Sequence, residues 1–158
     1  IDTLPRAFAE RVFLAFSGGH ETHASFEEQS LKDMNITDIY RMATAVLFPS
    51  ETEGRGLPII ESGAVGIPII CSRYEPEEVF AGVIGEDLSQ EYQIHYLLFP
   101  EDAFSEAFLE EASDLLIHPE AWAKWRAHNR RAIRLRYSTA ALSAAFQHLL
   151  DCAYEIVE

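Results

Sequence analysis

Apolar residues fall along the chain in two alternating rhythms. Short continuous runs, Arg11–Ser17, Ala45–Phe48, Ile67–Ser72 and Ile94–Phe99, are apolar at successive positions, as in strands buried on both faces of a parallel sheet. Between them lie stretches with apolar residues three and four apart. The clearest is Ser105 to Ile117, with apolar side chains at 108, 109, 112, 115 and 116. Punctuation agrees with this division. Gly18-Gly19 breaks the first run, Pro68 stands near the start of the third, and Pro100 closes the fourth. A helix from Pro58 to Val65 opens on proline and closes at Gly66, and another runs from Glu75-Pro76 to Gly82. Asp2-Thr3 caps a helix running to about Glu10, Ser25 with Glu28 forms a capping box for a helix over Phe26–Met34, and Thr37-Asp38 caps Ile39–Ala43. Pro119 starts a helix through Trp122 and Trp125 to about Tyr137, and Ser138-Thr139 caps the last one. That last helix has an apolar stripe at Leu142, Phe146, Leu149, Leu150 and Ala153, and alanines at 140, 141, 144 and 145 suited to close packing. About four strands alternating with helices give an α/β domain, a Rossmann-like parallel sheet flanked by helices.

The centre of this pattern is Phe48-Pro-Ser-Glu-Thr-Glu-Gly-Arg-Gly-Leu-Pro-Ile-Ile-Glu61. It places a glycine-bearing turn between a strand and a helix N-terminus. Unsatisfied backbone N–H groups there favour an anion, and Gly54 and Gly56 let a ligand approach the backbone closely. Glu53 lies in the turn and Glu61 about one turn inside the helix. A carboxylate accepts hydrogen bonds from the vicinal hydroxyls of a sugar or ribose. The amides of Gly56 and Leu57 suit a phosphate, so one site can hold sugar hydroxyl, phosphate and ribose together.

Composition narrows the partners. The 158 residues suit one folded domain, with 48% hydrophobic and 11% aromatic content, and the net charge of -14 disfavours binding to a nucleic-acid backbone. The charge is uneven: thirteen acidic residues and one basic residue lie between Arg73 and Glu120, then six basic residues and no acidic one between Lys124 and Arg136. Two solvated helix faces account for this; an anionic-ligand patch or a peripheral membrane contact is the alternative. No run approaches the roughly 20 apolar residues of a membrane span. Cys71 and Cys152 make no disulfide framework and read as buried free thiols of a reducing, cytoplasmic compartment.

Pro49-Ser50, Glu53-Gly-Arg-Gly-Leu-Pro58 and Glu61-Ser-Gly-Ala-Val-Gly-Ile-Pro68 resemble the E-x7-E signature of retaining GT-B glycosyltransferases of the group 1, or family four, type. Both glutamates, both turn glycines, both prolines and Gly66 fall in register with that family's pattern. The resemblance extends from Asp38-Ile-Tyr-Arg-Met-Ala43 to Leu98-Phe-Pro-Glu-Asp102, His118-Pro-Glu120 and Arg136-Tyr-Ser138, over residues 36 to 150. It implies the C-terminal nucleotide-sugar-binding half of a two-domain hexosyltransferase, with residues 139–158 as its terminal helix. In that frame Glu53 contacts the transferred sugar at the reaction centre and Glu61 binds the donor's ribose. Ser50, Gly54, Arg55, Gly56 and Leu57 line the donor site. The donor is a nucleoside diphosphate sugar, transfer retains configuration, the acceptor is unknown, and neither metal nor cofactor is expected.

Two departures qualify this. Arg55 replaces the aromatic residue of the family's turn, and it points either to phosphate or acceptor or to water. The family's Arg and Lys for the pyrophosphate come from the first strand-loop of the domain. Here the only lysines are Lys32 and Lys124, and neither sits in such a loop. The first strands of the domain are missing or divergent, and the acceptor-binding half is absent, so the expectation is a partial domain, inactive alone. A degenerate nucleotide-binding or assembly domain is the competing function. A glycoside hydrolase using Glu53 and Glu61 as a pair is a third, less suited to carboxylates at a turn and inside its following helix. A sheet short of strands and an uncovered terminal stripe point to self-association. His20 and His23 lack a clear third metal ligand, His95, His118, His128 and His148 form no constellation, and Trp122 and Trp125 read as helix–core contacts.

Overall fold

The computed structural model describes residues 36–157. The strand expected at Arg11–Ser17, the two helices expected before residue 35, His20, His23 and Lys32 lie outside the described residues. The chain divides into two compact units, Ile1–Ile39 and Tyr40–Glu158. Helix α1 (Ile36–Met42) runs into the second unit, which contains the sheet.

Among the described residues, three parallel strands form the sheet: β1 (Val46–Phe48), β2 (Ile69–Cys71) and β3 (Leu97–Leu98), in the order β1-β2-β3. Val46 pairs with Ile69, Phe48 with Cys71, and Cys71 in turn with Leu98. Helix α2 (Leu57–Val65) connects β1 to β2, and α3 (Glu77–Ile84) followed by a 3-10 turn at Gln90–Tyr92 connects β2 to β3. All three residues of β2 are buried, whereas Leu47 and Leu98 on its neighbours are exposed. The apolar runs therefore do not report burial on both faces away from the central strand.

The strands are shorter than their apolar runs. Ile94 and His95 belong to the run that ends in β3, but their backbone groups are taken elsewhere. Ile94 donates to the Ile84 carbonyl at 2.8 Å. Buried Asn129 accepts from the His95 N–H at 2.8 Å and donates to the His95 carbonyl at 2.7 Å, standing in for a neighbouring strand.

Ile59, Ile69, Cys71, Tyr74, Phe80, Val83, Ile84, Ile94 and Ile133 form the core. Phe48, Tyr74, Phe80 and Tyr96 run through it as successive edge-to-face pairs, with ring centroids 6.3, 5.0 and 5.4 Å apart. Burial pushes the Cys71 thiol up to about 12, so this cysteine stays protonated. Cys152, expected to be buried, is exposed instead. It stands on the terminal helix α6 (Thr139–Val157), which also exposes Leu142, Phe146, Leu149 and Leu150.

The basic run lies on α5 (Ala123–Tyr137), which packs on α2 with Ile133 against Gly63. Three of its six basic side chains address backbone carbonyls at helix ends. Arg126 donates to the Gly66 carbonyl and Arg130 to that of Val65, each at 2.7 Å, closing the C-terminus of α2. Arg136 donates to the carbonyls of Gly82, Val83, Ile84 and Tyr92 around the C-terminus of α3. A cation is favoured there because the last carbonyls of a helix lack partners and carry its negative pole. Arg131 faces Glu91 at 3.6 Å.

α5 begins at Ala123, not at Pro119, because residues 119–122 form a turn. Trp122 and Trp125 are half-buried beside one another, not core contacts, and the Trp122 indole donates to Asp114 on α4 (Glu106–Ile117) at 3.1 Å. Next to them His95 and His128 stack with ring centroids 4.1 Å apart, and His128 Nε2 lies 2.9 Å from the Gln93 carbonyl. Partial desolvation of its stacked ring and the neighbouring His128 lower the pKa of His95. An imidazole whose folded pKa is lowered destabilises the fold as pH falls below its unfolded value of about 6.5. The melting temperature should therefore decline between pH 7 and 5 more steeply for the natural chain than for His95→Phe, which keeps the stack and removes the titration. Parallel thermal melts of the two proteins check this; superimposable curves would dismiss it.

Candidate functional site

The turn after β1 is built on a continuation of the sheet. Past Phe48, Thr52 bridges Glu75 in parallel, the Glu53 N–H donates to the Glu75 carbonyl at 2.9 Å, and the Glu75 N–H donates to the Glu51 carbonyl at 2.9 Å. Ser50 closes the loop by donating to the Thr52 carbonyl at 2.9 Å. Glu53 is half-buried and its Oε1 accepts from the Gly54 N–H at 2.9 Å, which ties the carboxylate to the backbone of the turn. A side chain added at Gly54 would meet open space, so glycine there leaves room in front of the backbone.

Gly56 carries a stricter requirement. It caps α2 with φ 59° and ψ 32°, and a Cβ there would collide with the Tyr74 hydroxyl. Tyr74 is fully buried below the turn, and its hydroxyl has no hydrogen-bond partner among the described residues. Burial first, with the Glu53 carboxylate adding to it, pushes this phenol up to about 12. The N–H groups of Gly56 and Leu57 find no acceptor among the described residues, Pro58 has none to offer, and the first bond of the helix is Ile59 to the Gly56 carbonyl at 3.0 Å. The first turn of α2 contains no acidic residue. Leu57 and Arg55 are exposed, and Arg55 makes no ion pair among the described residues. Gly66 closes the helix with φ 78° and donates to the Ser62 and Gly63 carbonyls, as its position predicts.

Glu61 lies one turn into α2, half-buried, and its Oε2 accepts a hydrogen bond of 3.0 Å from the hydroxyl of Tyr40 on α1. Burial and the Glu61 charge raise the pKa of Tyr40 well above the ordinary phenol range, so Tyr40 remains a donor.

This strand, turn and capped helix fall within a longer match. The family profile described as Glycosyl transferases group 1 covers residues 25–130 of the chain. The chain belongs to the group 1 glycosyl transferases. The three-stranded parallel sheet with flanking helices is this family's C-terminal domain, and membership implies a nucleotide-sugar donor. No curated protein matches the chain. Among the described residues of this group 1 domain, no helix is long and apolar enough to cross a membrane.

All the site residues read from the group 1 motif stand on this turn or on α2. Two neighbours were not read from sequence. Tyr40 is 21 residues from Glu61, and no local spacing connects them. Tyr74 follows β2, and a signal for it existed: loops after adjacent parallel strands open on the same sheet edge.

Proposed function

We propose that the chain is the donor-binding half of a retaining hexosyltransferase, which transfers a sugar from a nucleoside diphosphate sugar to an acceptor held by a separate N-terminal half. The whole of residues 1–158 belongs to that C-terminal half, and the chain alone is inactive. Glu61 accepts from the ribose hydroxyls, and Glu53 contacts the transferred sugar at the reacting carbon. The amides of Gly56 and Leu57 receive the phosphate, while Ser50, Gly54 and Arg55 complete the wall around the sugar. The observation that carries this assignment is the pair of amides at the start of α2 without an acceptor among the described residues, one turn from a half-buried carboxylate. Amides at a helix N-terminus stabilise the departing diphosphate, and a carboxylate matches a vicinal diol. Free thiols at Cys71 and Cys152 suit the cytoplasm.

The test is calorimetry of UDP, GDP and ADP on the full-length enzyme that carries this chain. One of the three should bind, and Glu61→Ala should weaken it about a hundredfold, because two hydrogen bonds to a charged group are lost. Binding of none of them would sink the donor-site assignment.

A further inference from the structure

We propose that Tyr40 is a positioning residue of the donor site, its hydroxyl holding the Glu61 carboxylate in the orientation that receives the ribose. This rests on the assignment of Glu61 to the ribose and extends it to a residue on another helix.

Glu61 projects from α2 on a side chain with three rotatable torsions, and nothing else among the described residues bonds its carboxylate. Tyr40 supplies the missing constraint from α1 with a bond of 3.0 Å between half-buried partners. A phenol ring has few rotamers, so a hydroxyl at its tip is an economical fixed donor. The stoichiometry also fits. An ionised carboxylate accepts about four hydrogen bonds. Tyr40 takes one on Oε2, leaving Oε1 and the second lone pair of Oε2 for two ribose hydroxyls. Tyr40 itself reaches no substrate in this arrangement; it acts through Glu61.

The competing role is a fastening between α1 and α2 that matters to stability alone. Three variants of the full-length enzyme separate the two: Tyr40→Phe, Glu61→Ala and their combination. The readouts are the Kd of whichever of UDP, GDP and ADP binds, the KM and kcat for its sugar derivative, and the melting temperature. Tyr40→Phe should raise Kd and KM about tenfold, the usual size for one hydrogen bond to a charged group. It should leave kcat within about twofold, since the lost contact serves the nucleotide and not the reacting carbon. In the Glu61→Ala background, Tyr40→Phe should change Kd no further.

An unchanged Kd in Tyr40→Phe beside a lowered melting temperature would reduce Tyr40 to a fastening. Losses that multiply in the double variant would mean that Tyr40 touches the nucleotide directly, and would overturn the positioning role. If Glu61→Ala leaves Kd intact, the ribose assignment fails, and this inference falls with it. That outcome differs from failure of Tyr40 alone, in which Glu61→Ala weakens binding and Tyr40→Phe does not.

Discussion

Gly56→Ala should destabilise the chain by about 2–5 kcal/mol, and most of the loss should be concentrated at the turn. Two separate costs add. Holding an alanine in the left-handed region costs roughly 1–2 kcal/mol, and Gly56 has φ 59°. The added methyl would also meet the Tyr74 hydroxyl and both Val83 methyls, at 3.1 and 3.2 Å for the latter, an overpacking worth about 1–3 kcal/mol. Urea denaturation of Gly56→Ala and of Gly56→Ala with Tyr74→Phe separates the two. Removing the hydroxyl relieves the tightest contact of the methyl, so the double variant should recover the Tyr74 share of the steric part and retain the Val83 contacts and the backbone part. Tyr74→Phe by itself should cost nothing, because the hydroxyl it removes is buried without a partner among the described residues. A Gly56→Ala protein as stable as the natural one would mean that the turn is not held in this conformation.

Glu53→Gln carries the largest expected effect on catalysis. The glutamine amide oxygen can still accept from the Gly54 N–H, so the turn keeps its shape while the charge disappears. With Glu53 at the transferred sugar, as proposed, kcat should fall by about 10²–10³, the size seen when one electrostatic contact to the reacting centre is removed. Nucleotide affinity should stay within about twofold. Steady-state rates alongside calorimetry on the full-length enzyme measure both. Equal losses in the two would show that Glu53 serves binding, and the roles of Glu53 and Glu61 would need to be reassigned.

The sheet, its parallel sense and the helix after the glycine turn were legible because their signals are local. Pro58 and Gly66 bracket α2 to within a residue, and Ile69–Cys71 is buried throughout, as its unbroken apolar run demands. What escaped was settled by contacts distant in sequence. Apolar residues at 94–99 read as one strand, but Asn129, 34 residues from His95, claims that residue's backbone and leaves only Leu97–Leu98 to pair. The dense basic run on α5 left charge and ligand readings open, since no periodicity tells an arginine which carbonyl it will meet. At the candidate site, both glutamates and both glycines were readable because they lie within one short stretch. Tyr40 and Tyr74 were not, because each reaches the turn from another element.

The arginines of α5 have a consequence for electrostatics at the far end of the helix they close. A helix whose two poles are both uncompensated presents equal and opposite partial charges, roughly half an electron charge each, and their fields partly cancel at a distance. On α2 the negative pole is covered by Arg126 and Arg130, whereas the first turn carries no acidic residue. On α3 Arg136 covers the negative pole, but Glu77 and Glu78 sit in the first turn and offset the positive one. Of these two helices, only α2 therefore acts as a one-ended source of positive potential, and it opens at the amides of Gly56 and Leu57, which find no acceptor among the described residues. In a chain of net charge -14, the backbone partial charge at that end of α2 adds to the exposed Arg55 guanidinium of the same turn.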